Sequence, residues 1–378
     1  MNTRQILDKL ISFPTVPRTS TKDLIDWAAN LLRESGAVVE CLLSPDGTKA
    51  NLWARLGPSV EGGIILAGHI DVVPVEGQSW TSDPFRLTER DGKLYGRGAC
   101  DMKGFVACAL SFAARVDVSK LTKPIYIALT YDEETDMSGA LTLADALTQR
   151  GIKADWIWLG EPTGLEVITA HKGVLDMQTI VEGVAAHSSL PSKGLNAIAL
   201  TNKIISWLVA RDETYAKNPV EESHFDPPYS TINLGIINGG KAPNIIADRC
   251  LLEWGVRLHP NAQSAEELLE SYQNFVEQEI KPLMTAFPAT QVKTTARVNI
   301  PPFACGANNL AATYLLPRTG SGSPLSVSYA TEAGYYAPLA QGLAICGPGS
   351  ILQAHQPDEY VPQADLDACD RLLDGLVG

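Results

Sequence analysis

Short, almost wholly apolar runs recur along this chain, and several stop abruptly at a polar or acidic residue. Gly63-Ile-Ile-Leu-Ala-Gly leads into His69-Ile-Asp71, Pro124-Ile-Tyr-Ile-Ala-Leu-Thr leads to Asp132-Glu133-Glu134, and Trp156-Ile-Trp-Leu-Gly ends at Glu161-Pro162. Runs of this length without polar alternation read as strands buried on both faces, as in parallel sheets covered by helices. The stretches 104–116 and 138–148 read as such helices, so an α/β sheet is expected through residue 177. Polar residues just beyond the strand ends then fall on the edge where open α/β sheets bind ligands.

The texture changes between 178 and 298. Gln178-Thr-Ile-Val-Glu-Gly-Val, Ser230-Thr-Ile-Asn-Leu-Gly-Ile-Ile, Cys250-Leu-Leu-Glu-Trp-Gly-Val-Arg-Leu and Gln291-Val-Lys-Thr-Thr-Ala-Arg-Val alternate like half-exposed strands. Helical patterns over 196–210 and 264–280 fall between them, giving a β-α-β-β-α-β order. After Pro301-Pro302 the first texture returns, with Leu343-Ala-Ile-Cys-Gly as one more buried strand. The expected fold class is α/β: a discontinuous domain of residues 1–177 and 299–378, with a mostly parallel sheet covered by helices, plus an inserted α+β domain of residues 178–298. A chain of 378 residues is long enough for two cores.

Charge narrows the partners. With 30 Lys and Arg against 43 Asp and Glu, the net charge is −13, and no basic run offers a surface to nucleic acid or to an anionic membrane. No apolar stretch approaches the roughly 18 residues of a membrane span, and the start Met1-Asn-Thr-Arg-Gln-Ile-Leu-Asp-Lys-Leu reads as an amphipathic helix, not a signal peptide. The 7 cysteines are scattered, without a Cys-x-x-Cys pair. Reduced thiols in a cytoplasmic protein are expected.

Taken singly, the residues after the strands are ordinary: a lone His is usually a packed or surface residue, and an Asp before a helix, as in Tyr95-Gly-Arg-Gly-Ala-Cys-Asp101, is usually a cap. The glycines of that loop follow no convincing strand and lack the third glycine of a dinucleotide site. Gathered on one sheet edge, however, two histidines and three or four of these carboxylates would concentrate negative charge that a bound cation offsets. Imidazole and carboxylate without thiolate suit Zn²⁺ or a similar divalent ion with open positions.

His69-x-Asp71, Gly98-Ala-Cys-Asp101-Met-Lys-Gly, Asp132-Glu-Glu134, Gly160-Glu-Pro-Thr163, Gly183-x-x-Ala-His187-Ser and the late His355 resemble, in order and over nearly the whole chain, the co-catalytic zinc amidohydrolases of the aminoacylase, carboxypeptidase and desuccinylase superfamily, peptidase clan M20. The resemblance implies two Zn²⁺ per subunit, with Co²⁺ a substitute, bridged by Asp101. His69 and Glu161 would complete one ion, Glu134 and His355 the other. Glu133 would be the general base, and Asp71 would accept the remaining ring N–H of His69. The peptide after Asp101 would be cis. Residues 178–298 would form a lid and dimerisation domain whose His187 reaches the active site of the partner in a homodimer. Asn244 and Arg257 resemble residues that hold the substrate's carbonyl and α-carboxylate.

Within that superfamily, Ala170-His-Lys-Gly, Asn233-Leu-Gly-Ile-Ile-Asn-Gly-Gly240, Tyr329-Ala-Thr-Glu-Ala333 and the long Gly347–Tyr360 stretch are similar to the acetylornithine deacetylase branch. The implied reaction is amide hydrolysis of an N-acyl amino acid, N²-acetyl-L-ornithine giving L-ornithine and acetate in arginine biosynthesis, with Glu332 meeting the distal ammonium. Succinyl-diaminopimelate desuccinylase, a broader aminoacylase or metallocarboxypeptidase, and a catalytically silent binding relative stay open as alternatives.

Overall fold

In the computed structural model, which describes residues 1–377, the apolar runs are neighbouring strands of one sheet. From one edge the order is Val38–Leu43, Ala50–Leu56, Ile125–Thr130, Ile64–His69, Trp156–Leu159 and Leu343–Ile345. The last four run parallel to one another, whereas the first two pair antiparallel at the edge. Every residue of Ile125–Thr130 and Trp156–Leu159 is buried, which is why their sequences show no alternation.

Helix Lys103–Arg115 is buried from Lys103 through Ala113. It packs on the sheet and against helices Thr3–Ile11, Lys22–Glu34 and Gln363–Asp374, bringing Phe105, Phe112 and Leu110 into one core with Ile6, Leu10, Leu366 and Leu373. Each such side chain contributes about 1.5–3 kcal/mol when fully buried.

These elements belong to a first compact unit, made of Met1–Thr169, Cys305–Leu325 and the segment from Thr331 onward. The second unit, Ala170–Ala304 with Ser326–Ala330, contains an antiparallel sheet in the order Thr231–Gly239, Arg249–Leu258, Gly173–Glu182, Gln291–Ile300. Helices Ala197–Lys217 and Ala265–Phe275 complete the expected β-α-β-β-α-β order. Cys250, Leu252, Trp254, Val256 and Leu258 alternate onto the covered face, where they meet Leu200, Ile204, Leu208, Leu268 and Tyr272. Both helices are capped: the Asn196 side chain accepts the N–H groups of Ile198 and Ala199, and Ser264 forms a capping box with Glu267.

The units divide at 169/170 and 304/305, not at the expected 177/178 and 298/299. Those cuts fall inside Gly173–Glu182 and Gln291–Ile300, which pair with each other from Val174–Ile300 to Glu182–Gln291 across one bulge. Gly173, Val174 and Leu175 are all buried, so the strand begins like a buried run of the first texture. Texture reports burial, and the unit boundary follows pairing. Among the described residues no helix is long and apolar enough to cross a membrane.

Candidate metal centre

The parallel strands present their C-terminal ends to one place. His69 is the last residue of Ile64–His69, Glu133 and Glu134 follow Ile125–Thr130, Glu161 follows Trp156–Leu159 by one glycine, and His355 follows Leu343–Ile345. Asp101 stands just ahead of helix Lys103–Arg115. A Cβ on Gly160 would lie 1.8 Å from the Phe105 ring, so only glycine lets the strand pass this close to the helix before turning out Glu161.

Two groups of ligand-type atoms result, His69 with Asp101 and Glu161, and Asp101 with Glu134 and His355, each set lying within 4.8 Å. Asp101 belongs to both. Its Oδ1 is 3.0 Å from His69 Nε2 and its Oδ2 is 3.5 Å from His355 Nε2. Glu161 Oε1 lies 4.0 Å from His69 Nε2, and Glu134 Oε2 lies 2.9 Å from His355 Nε2. Glu133 stands beside the first group, with Oε2 3.9 Å from His69 Nε2. The Asp101–Met102 peptide is cis.

The residues fit a pair of divalent ions. Glu161 Oε1 is buried and has no hydrogen-bond partner, an omission that costs about 1–3 kcal/mol unless something else satisfies it. Burial, reinforced by neighbouring carboxylates, pushes Glu133 and Glu161 well above the usual carboxylate range and Glu134 up to about 7. Hydrogen bonds to Asp101 and Glu134 raise His355 to about 10. At His69 burial favours the neutral ring but is outweighed by the Asp101 hydrogen bond and the charges of Glu133 and Glu161. The cluster therefore gathers more carboxylates than its two imidazoles balance, a charge that divalent cations would offset.

Asp71 acts differently from expectation. His69 Nδ1 lies 3.0 Å from the backbone carbonyl of Asp71 and 3.7 Å from its Oδ1. A carbonyl only accepts, so Nδ1 carries the proton and Nε2 faces the cluster. The Asp71 carboxylate instead accepts the backbone N–H groups of Glu133 and Glu134, both at 3.1 Å, and so orients the loop that carries them.

Glu332 corrects a second expectation. It is 0% exposed, its Oε1 accepts the Thr130 hydroxyl at 2.5 Å, and its Oε2 has no partner. Burial raises its pKa to about 7, and its charge is felt by Glu161. Its neighbours are Thr130 and, through its charge, His69 and Glu161, and nothing in its surroundings presents it to solvent, from which the ammonium of a substrate would arrive.

The second unit carries the remaining candidates. His187 does not end the first strand, which stops at Glu182; it forms an isolated bridge with Ile245. His187 is exposed, and its Nδ1 accepts the Ser189 backbone N–H at 3.2 Å. Nδ1 also lies 2.7 Å from the Ser189 hydroxyl, so Ser189 engages this nitrogen and not Nε2. Asn244 is also exposed, and its backbone carbonyl accepts the Ser188 N–H at 3.0 Å. Arg257 lines a concavity of about 310 Å³ with Asp176, Thr231, Asn233 and Trp254.

Sequence reasoning missed Glu359, a carboxylate that is 1% exposed and accepts the backbone N–H groups of Gly98, Cys100 and Asp101. Its place within the Gly347–Tyr360 stretch was the available signal. It missed also Lys49, whose ammonium pairs with Asp132 at the start of the Glu133–Glu134 loop.

Residues 65–378 match the family described as peptidase family M20/M25/M40. An acetylornithine deacetylase of Photorhabdus laumondii is 36% identical over 380 residues, covering 99% of this chain and 96% of the relative. One from Pectobacterium carotovorum is 38% identical, covering 97% and 95%. Among solved structures, an M20 family metallo-carboxypeptidase from Sulfolobus solfataricus superposes with a TM-score of 0.75 at 17% identity, covering 100% of this chain and 98% of that one. A dinuclear metal binding peptidase of family M20 from Bacillus subtilis does so at 0.65 and 15%, covering 99% and 97%. The last two likenesses are likenesses of fold. The strand-end cluster and these matches define a metal-dependent amide hydrolase. The chain belongs to peptidase family M20/M25/M40.

Proposed function

We propose that this protein hydrolyses N²-acetyl-L-ornithine to L-ornithine and acetate, a step of arginine biosynthesis, using two Zn²⁺ per subunit with Co²⁺ an effective substitute. The observation that carries the reading is the pair of ligand groups sharing Asp101, with Glu133 alongside and not within either group. Full-length relatives named acetylornithine deacetylase support the substrate.

His69, Asp101 and Glu161 would hold one ion, and Asp101, Glu134 and His355 the other. When bound there, such a pair would supply Lewis acidity, lowering the pKa of water at the site toward about 7. Glu133 accepts the proton of the attacking water at its carboxylate and then delivers it to the amide nitrogen as the C–N bond breaks. Asp71 keeps that carboxylate in place by holding the backbone of its loop. In the second unit, Arg257 offers a planar fork to the α-carboxylate and Asn244 an amide to the acyl carbonyl. The Nε2–H of His187, contributed by the partner subunit, is the donor for the developing oxyanion.

A homodimer through the second unit is supported by the Thr231–Gly239 strand, which pairs on one side only. Its Leu234, Ile236 and Ile237 are 37%, 54% and 56% exposed, an apolar edge that a monomer would have to protect. Cytoplasmic location is supported by the cysteines, all of them free.

The test is a panel of N-acyl amino acids assayed with the zinc-loaded protein. Acetylornithine should give the highest kcat/KM, and a succinyl substrate, whose extra carboxylate needs its own cation, should be poor. Preference for the succinyl substrate would move the protein to the desuccinylases.

His187→Ala should lower kcat about 10²- to 10³-fold with metal content unchanged, the loss typical of one oxyanion donor. Mixing His187→Ala with Glu133→Gln should restore about a quarter of wild-type activity under free exchange, because half the dimers are mixed and each holds one intact site of two. No recovery after verified exchange would place the action of His187 within its own chain, or nowhere.

A further inference from the structure

We propose that Glu359 is the positioning residue for the shared carboxylate Asp101, and that through Arg97 and Gln78 the same network sets His355, so that one buried acid keeps both ion positions in register. This role presupposes the dinuclear centre proposed above.

Glu359 uses both oxygens fully. Oε1 accepts the backbone N–H of Cys100 at 2.8 Å and of Asp101 at 3.0 Å; Oε2 accepts the N–H of Gly98 at 3.0 Å and the Nη1 of Arg97 at 2.6 Å. The loop presenting Asp101 is thus wrapped around one carboxylate, and the N–H of Asp101 itself is part of the wrapping. Gly98, at φ 83°, supplies the left-handed turn this requires.

The network then crosses to the other ligand. Arg97 is 1% exposed, lies over the Trp80 ring at 5.1 Å, and donates through Nη2 to Gln78 Oε1 at 2.5 Å. Trp80 Nε1 donates to the same oxygen at 3.0 Å. Gln78 Nε2, in turn, donates to the backbone carbonyl of His355 at 2.9 Å. His355 has φ 63°, a conformation that a side-chain-bearing residue holds only when its surroundings impose it. Asp101 and His355, both in the second ligand group, are therefore tied to one chain of hydrogen bonds, charge-assisted at Glu359 and Arg97.

A buried ion pair on its own is weak evidence of anything beyond packing. The acceptor inventory says more. Glu359 meets four donors and presents only acceptors, whereas glutamine would turn an amide N–H toward Gly98 N–H or Arg97. Glu359→Gln keeps the shape and breaks the grip on the loop.

The experiment is calorimetric titration of Zn²⁺ into the full-length protein stripped with chelator, together with the melting temperature of each metal-free variant. Wild type should take two ions. Folded Glu359→Gln should bind both about 10- to 100-fold more weakly, the loss typical when a partner behind a metal ligand is removed. Gln78→Ala, at a partly exposed site that tolerates truncation, should lose a similar factor at one position and retain the other. Asp370→Asn, which disturbs the Thr3 and Arg115 contacts of the same unit, should lower the melting temperature and leave both affinities unchanged, as a purely structural change does. Wild-type affinity for both ions in Glu359→Gln would overturn the proposal, as would the same result in Gln78→Ala if Glu359→Gln does not fold. One ion in wild type would overturn the dinuclear centre itself.

Discussion

An Asp101→Ala protein is expected to hold neither zinc ion tightly and to hydrolyse acetylornithine at least about 10³-fold more slowly than wild type. Asp101 is the one carboxylate shared by both ligand groups, 3.0 Å from His69 Nε2 through one oxygen and 3.5 Å from His355 Nε2 through the other. Its loss leaves each ion with two side chains, while Glu133, Glu134 and Glu161 keep mutually repelling charge. Charge stabilisation by catalytic metal is worth several kcal/mol, and about 1.4 kcal/mol is a factor of ten in rate. Metal analysis and kcat decide the matter. One ion at saturation in wild type, or wild-type turnover in Asp101→Ala, would remove the bridge.

Glu133→Gln should separate proton transfer from metal binding. Expected are two ions still bound and kcat lowered about 10²- to 10⁴-fold, the range for loss of a general base. The amide matches the carboxylate in shape, and the loop is held through its backbone by Asp71, so geometry survives while the proton acceptor is lost. Glu134→Gln should do the reverse and weaken one ion position, because Glu134 stands 2.9 Å from His355 within a ligand group. Equal kcat for Glu133→Gln and wild type would take the role of base away from Glu133.

The strand ends were legible because a buried run announces itself locally and its first polar residue is adjacent in sequence. His69, Glu134 and Glu161 were found this way, Asp101 from a glycine-rich loop ahead of a helix, and the structure gathers them. What failed was whatever depends on burial or on a partner far away in the chain. Glu332 looks like a loop acid beside Thr331 and Ala333, yet it is sealed against Thr130, 202 residues away. Glu359 reads as one polar residue in a polar stretch, and its contact with the Asp101 N–H spans 258 residues. Spacing placed Asp71 beside His69 but cannot tell a backbone carbonyl from a side-chain carboxylate, and it is the carbonyl that stands 3.0 Å from Nδ1. The unit boundary was displaced for a related reason: Gly173-Val-Leu is buried like the first sheet while pairing in the second.

The most direct measurement is ornithine release from N²-acetylornithine by protein stripped of metal and reloaded stepwise with zinc. Release should be negligible in the stripped protein, rise with loading to a plateau near two equivalents per chain, and fall away in Glu133→Gln at the same loading. Release that is undiminished in the stripped protein, or absent at every loading while both ions are bound, would contradict a dinuclear amide hydrolase acting on acetylornithine.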